Sequence, residues 1–227
     1  MKEKLEQVRK RIQAAAEACG RDPATVRLVA VSKTQPVSRI AEAIAASTTD
    51  LGENYIQEAK EKIEPLAAHP VCWHFIGHLQ SNKAKIAVSL FDWIHTVDSA
   101  KLAAEIDKQA AKLGKVQKIL IQVNTGLEDT KSGVVPDDLP GLVTEISRFG
   151  HVAVRGLMAI PPFYDDPEAV RPHFKKLRML RDAIEKQKIP NVVMKELSMG
   201  MSGDFEVAIA EGATMVRIGT AIFGARQ

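Results

Sequence analysis

A chain of 227 residues with 45% hydrophobic and 26% charged side chains has the composition of a globular protein and can bury a sizeable core, which argues against disorder. Its 31 basic and 28 acidic residues are interleaved, and the densest basic run, Arg9-Lys10-Arg11, shares its stretch with Glu3, Glu6 and Glu17, so the +3 formal charge marks no nucleic-acid groove. No apolar run approaches the ~18 residues of a bilayer span and the charged N-terminus has no signal-peptide apolar region. Cys19 and Cys72 stand at neither CxxC nor metal-ligand spacing, so a cytoplasmic protein with reduced thiols is expected.

Leu5, Val8, Ile12, Ala15 or Ala16, and Cys19 recur at helical spacing and Gly20 stops them, so residues 1–20 read as one amphipathic helix. It is expected to pack on the closed end of the domain or to serve a partner. Beyond it, apolar runs alternate with helical periodicity. Candidate strands fall at 28–32, 49–52, 72–77, 93–97, 118–124, 152–159, 196–199 and 215–219, and helical segments at 38–47, 55–67, 99–113, 137–148 and 167–188. Such alternation implies parallel strands joined by right-handed crossovers. Eight units fit a closed (β/α)8 TIM barrel, with the first helix as an addition and residues 1–227 as one domain. The competing doubly wound sheet should carry GxGxxG after its first strand, and Ser32-Lys33-Thr34-Gln35-Pro36 has none.

A barrel gathers its strand C-termini into one site. The first strand ends on Lys33, a lone ammonium before a proline. Desolvation would free its amine to attack an aldehyde, since an unperturbed lysine (pKa about 10.4) is neutral only about once in a thousand at neutral pH. The alternative is a strand-end lysine whose stem covers core while its head stays wet. After the seventh and eighth strands come Ser202-Gly203 and Gly219-Thr220, small residues with free amides where a helix start would face an anion. They suit a phosphate, or else plain turns and caps. His74 and His78 are four apart but on a strand and turn, so no metal is expected, and His69, His95, His151 and His173 suggest nothing jointly. Glu53, Glu58 and Glu61 read as partners of a helix dipole.

Six segments in order carry a resemblance over nearly the whole chain. They are Val29-Ala30-Val31-Ser32-Lys33, Gly52-Glu53-Asn54-Tyr55-Ile56-Gln57-Glu58, Trp73-His74-Phe75-Ile76-Gly77-His78-Leu79-Gln80-Ser81-Asn82-Lys83, Gly156-Leu157-Met158, Ser198-Met199-Gly200-Met201-Ser202, and Val216-Arg217-Ile218-Gly219-Thr220 with Ile222-Phe223-Gly224. With these the sequence resembles the YggS/PROSC-type pyridoxal phosphate homeostasis proteins. The resemblance implies a fold-type III barrel like the N-terminal domain of alanine racemases. It also implies pyridoxal 5'-phosphate (PLP) held as a Schiff base (aldimine) on Lys33. On that pattern Ser202, Gly219 and Thr220 bind the phosphate, Asn54 lies beside the cofactor and Arg217 faces the pyridine nitrogen. Relatives carry an acidic residue directly after the serine, whereas here Gly203 precedes Asp204, which is expected to loosen or lengthen the phosphate loop.

The implied function is storage, delivery or buffering of PLP with little or no turnover, with PLP-dependent apo-enzymes as candidate partners and a monomer as the expected state. The racemases complete their site with a second, β-rich domain that brings a tyrosine. Tyr55 and Tyr164 are the only tyrosines here, so a second acid/base is not evident. The alternatives are a fold-type III amino-acid racemase or decarboxylase and, further off, a cofactor-free Schiff-base aldolase.

Overall fold

The computed structural model describes residues 1–128 and 132–224. Eight parallel strands close in sequence order: β1 (Arg27–Val31), β2 (Asp50–Glu53), β3 (Cys72–Phe75), β4 (Trp93–Val97), β5 (Gln117–Gln122), β6 (Val152–Met158), β7 (Val192–Ser198) and β8 (Met215–Ile218). The expected (β/α)8 barrel is therefore the observed fold. Helices α1 (Lys2–Ala18), α2 (Val37–Ala45), α3 (Ile56–Ile63), α4 (Ala84–Leu90), α5 (Ala100–Lys112), α6 (Leu139–Ile146), α7 (Arg171–Lys186), α8 (Phe205–Ala210) and α9 (Thr220–Phe223) lie outside it. No described helix is long and apolar enough to cross a membrane.

Strand alternation divides the apolar residues between two cores. Trp73, Phe75, Ile94, Ile119 and Ile121 join the large core shared with the helices. Val29, Trp93, Leu120, Met158 and Met215, with Cys72 packed against them, form a small cluster of their own. Trp93 and Leu120 are one residue out of step with Ile94, Ile119 and Ile121, so this second cluster faces the barrel interior and fills it. β6 and β7 approach closely at Gly156, whose φ of +155° and lack of a side chain admit the Glu196 carbonyl: a Cβ there would stand 1.9 Å from that oxygen.

α1 lies not on a closed end but along the barrel's side, against α8 with α9 and α2 beside it. α8 has six residues and α9 four, too short to shield their strands alone, and α1 supplies Leu5, Val8, Ile12 and Ala16 as the missing apolar cover. Arg11 Nε donates to Glu206 Oε1 (2.6 Å) and Arg21 Nη1 to the Ile209 carbonyl (2.7 Å), pinning the helix to α8. Because this face is part of the main core, Ile12→Val is expected to cost about 1 kcal/mol, read as a lower denaturation midpoint. A peripheral, partner-seeking α1 would leave the midpoint unmoved.

Candidate functional site

At the C-terminal ends of the strands a cavity of about 300 Å³ is lined by Val31, Lys33, Asn54, Ile76, Ile160, Met201, Ser202, Arg217, Gly219 and Thr220. All six site residues expected from the sequence lie on it. A smaller recess of about 40 Å³ continues past Lys33 and Gly219 between Thr34, Gln35 and Phe223.

Lys33 follows β1 and is half-buried. Its two neighbours are fixed from below. The Lys62 ammonium, buried in α3, donates to the Ser32 carbonyl (2.7 Å), to Glu53 Oε1 (2.8 Å) and to Glu58 Oε1 (2.6 Å). Ser32 Oγ donates to Glu53 Oε1 (2.6 Å), and the Thr34 amide donates to Glu58 while Thr34 sits at φ +63°. Glu58 does stand in the first turn of α3, but Glu53 is no helix-start partner: it closes β2 and is fully buried, and both carboxylates hold Lys62. Burial pushes the Glu53 carboxyl up, against the Lys62 and Ser32 hydrogen bonds that pull it down.

Asn54 follows β2, and its Oδ1 is buried without a partner. Its backbone is met by Gly77, just after β3, where a Cβ would stand 2.0 Å from the Asn54 carbonyl oxygen. Ser202 Oγ accepts from the Ala221 amide (3.4 Å), tying the loop after β7 to α9. With only four residues, α9 has little macrodipole, so an anion here would rely on the Ser202 and Thr220 hydroxyls and local amides. Gly203 needs no special φ, and a Cβ on it would meet nothing within 4 Å. Asp204 remains in the electrostatic field of Arg217 despite the inserted glycine.

Arg217 is buried, and burial lowers its guanidinium to about 10, with Asp204 opposing, so it stays cationic at neutral pH. Nη1 donates to Ser198 Oγ (2.7 Å) and Nη2 to the Ala159 carbonyl (2.9 Å). From Ser198 a chain runs through the barrel: Ser198 Oγ to His95 Nδ1, His95 Nε2 to His74 Nδ1, and His74 Nε2 to Asp50 Oδ1, each 2.9 Å. His95, one of the four histidines expected to suggest nothing jointly, is bonded to His74. His78, four residues from His74 but beyond the end of β3, is engaged instead by Ser132 Oγ at 3.3 Å. Asp50, Cys72 and His74 place ligand atoms within 4.8 Å of one another. Arg27 Nε already stands 3.7 Å from Asp50 Oδ1 as its countercharge, and burial pushes the Cys72 thiol up to about 12.

Neither tyrosine lines the cavity: Tyr55 is 61% exposed, and Tyr164 pairs with His173 at 3.0 Å.

A family profile described as "Alanine racemase, N-terminal domain" matches residues 4–227. The pyridoxal phosphate homeostasis protein of Aquifex aeolicus is 47% identical over 225 residues, covering 99% of this chain and 98% of that relative. The chain belongs to the pyridoxal phosphate homeostasis protein family. The structure of PipY from Synechococcus elongatus PCC7942 with PLP bound superposes with a TM-score of 0.82 at 39% identity, over 94% of this chain and 100% of PipY. An alanine racemase of Clostridium difficile shares the fold, with a TM-score of 0.73 at 14% identity, over 96% of this chain but 55% of the racemase. The cavity of this homeostasis-family chain suits a single-ring phosphate aldehyde: an amine at one side, two hydroxyls at another, a buried cation, and an Asn54 oxygen that lacks a partner within the protein.

Proposed function

We propose that the chain binds PLP in this cavity, joined covalently through Lys33 Nζ, and that it stores and hands over the cofactor. The observation that carries this reading is the convergence of Lys33, Ser202, Gly219, Thr220, Asn54 and Arg217 on one cavity, in a chain 39% identical to a protein described with PLP bound. Ser202 and Thr220 offer hydroxyls to the phosphate, and Gly219 keeps the strand end bare so that it can approach. Asn54 presents its amide at the cofactor's edge. The Lys62 cluster fixes the backbone on both sides of Lys33, so the amine is delivered from a rigid base.

Bound PLP would supply an aldehyde that condenses with amines and a ring that can withdraw electrons. Arg217 governs the second property. A guanidinium donates only and stays protonated, so a ring nitrogen facing it accepts a hydrogen bond and remains unprotonated. That weakens the ring as an electron sink and favours holding over carbanion chemistry. Lys33 and Arg217 are the ionisable residues among those lining the cavity, and neither tyrosine joins them as a second acid/base. Apo-enzymes that need PLP are the fitting recipients, and the chain acts as a monomer in this reading.

The test is to load the purified protein with PLP, reduce it with borohydride and weigh its peptides. The Lys33 peptide is expected to gain the mass of the reduced cofactor, and Lys33→Ala to lose the label. Labelling spread over other lysines, unchanged by Lys33→Ala, would refute the site. For the holding role, amino acids incubated with loaded protein in deuterated water should keep their α-protons; catalytic wash-in would establish a racemase-type activity instead.

A further inference from the structure

We propose that the buried chain Arg217–Ser198–His95–His74–Asp50 is a proton-ordered strut that fixes the pose of Arg217 from across the barrel, with His95 and His74 as positioning residues. The inference deepens the cofactor reading above, since what Arg217 faces is taken from it. The order of protons follows from the two ends. Arg217 only donates, and an ionised Asp50 only accepts. Read from Asp50 with both rings neutral, His95 Nδ1 is left as an acceptor, so Ser198 Oγ, which accepts from Arg217 Nη1, gives its single proton to His95 Nδ1. His95 must then carry its proton on Nε2, which donates to His74 Nδ1, and His74 carries its own on Nε2, which donates to Asp50 Oδ1. Each link has one donor and one acceptor and no proton is left over. A reversed tautomer at either ring would set two donors or two acceptors face to face.

The surroundings hold this arrangement in place. Ser198, His74 and His95 are fully buried, so water cannot replace a missing link. Burial disfavours the charged form of both rings, outweighing the Asp50 contacts at His74; Arg217 and Arg27 act in the same direction at His95. Trp93 lies parallel to the His74 ring (centroids 6.0 Å, 8°) and edge-on to His95 (6.3 Å, 76°), which fixes their planes. Against the burial that would raise it, the hydrogen bonds from His74 and Thr49 hold the Asp50 carboxyl below its usual range, with Arg27 at 3.7 Å adding to them, so Asp50 is the ionised terminal acceptor. At the other end Asp204 is the anion in the field of Arg217. Burying two imidazoles in a barrel core is costly unless every polar atom is matched. Here the matching terminates on Arg217, a buried cation that lines the cavity.

Two measurements test the strut, the first without cofactor. Nitrogen-15 NMR of histidine-labelled protein should show both rings neutral and protonated on Nε2 from about pH 6 to 8; an Nδ1-protonated or titrating ring at either position overturns the proposal. In the second, His95→Leu should weaken PLP binding about tenfold and shift the absorbance of the bound cofactor. His95→Gln, whose amide can accept from Ser198 and donate to His74, should stay within about twofold of the wild type. If His95→Leu does not fold, Ser198→Ala removes one hydroxyl and is read in the same way. A folded His95→Leu or Ser198→Ala protein with unchanged affinity and spectrum refutes the positioning role. Failure of borohydride labelling at Lys33 would sink the cofactor reading and leave the tautomer measurement intact, so the two failures are told apart.

Discussion

Lys62→Met should destabilise the protein by about 3–5 kcal/mol, because it removes the ammonium that pairs with Glu53 in a dry site and leaves that carboxylate buried without a counterion. For a chain of this size that is a drop in Tm of roughly 6–20 °C. The loss is expected to depend on pH, with a definite sign. Burial already raises Glu53, and without Lys62 nothing but Ser32 pulls it back. A carboxyl whose folded pKa lies above its unfolded value contributes stability that is complete below the unfolded value and is lost as pH rises through the folded one. The deficit relative to wild type should therefore be largest in mildly alkaline buffer and shrink toward the ordinary carboxylate range, where a protonated Glu53 needs no counterion. Melts at about pH 8 and pH 5 decide it: equal deficits at both would mean that the cluster contributes packing and little charge.

Gly77→Ala should be nearly as damaging, at about 3 kcal/mol, and should strike the site as well as the fold. The added Cβ would lie 2.0 Å from the Asn54 carbonyl oxygen and 2.7 Å from both its carbonyl carbon and its Cα, all backbone that cannot swing aside. Gly77 is itself held, because Thr96 Oγ1 donates to its carbonyl at 2.6 Å. The loop after β2 must yield, carrying Asn54 away from the cavity. The expected result is a lowered Tm together with about a tenfold loss of PLP affinity in the folded fraction. Unchanged binding in that fraction would show that Asn54 has no part in holding the ligand. Gly203→Ala serves as the contrasting substitution, since its Cβ meets nothing, and should leave both quantities unmoved.

The barrel was legible because its signals are local: eight short apolar runs with helical periodicity between most neighbours. α4, α8 and α9 were not, since seven, six and four residues hold too little periodicity to stand out. The cavity residues could be found because strand ends converge by construction. Their supports could not be found that way. Lys62 meets Glu53 and the Ser32 carbonyl only once α3 has packed, and His74 reaches His95 only through the pairing of β3 with β4. One signal was available and passed over. Trp73 and Phe75 flank His74, and Ile94 precedes His95, so the large apolar residues claim the helix-facing side and leave both imidazoles pointing inward. Two inward histidines on adjacent strands are close enough to bond, and that inference needs only strand alternation.

The filled interior has a consequence for traffic. Among the described residues, Trp93, Met158 and Met215 pack the barrel interior, so the way past Lys33 and Thr220 does not continue through the barrel. On the proposed role, loading and release would then share this doorway. On the proposed handover role, a recipient would have to come to the same rim that admitted the cofactor, and while it stood there no second molecule could be taken in.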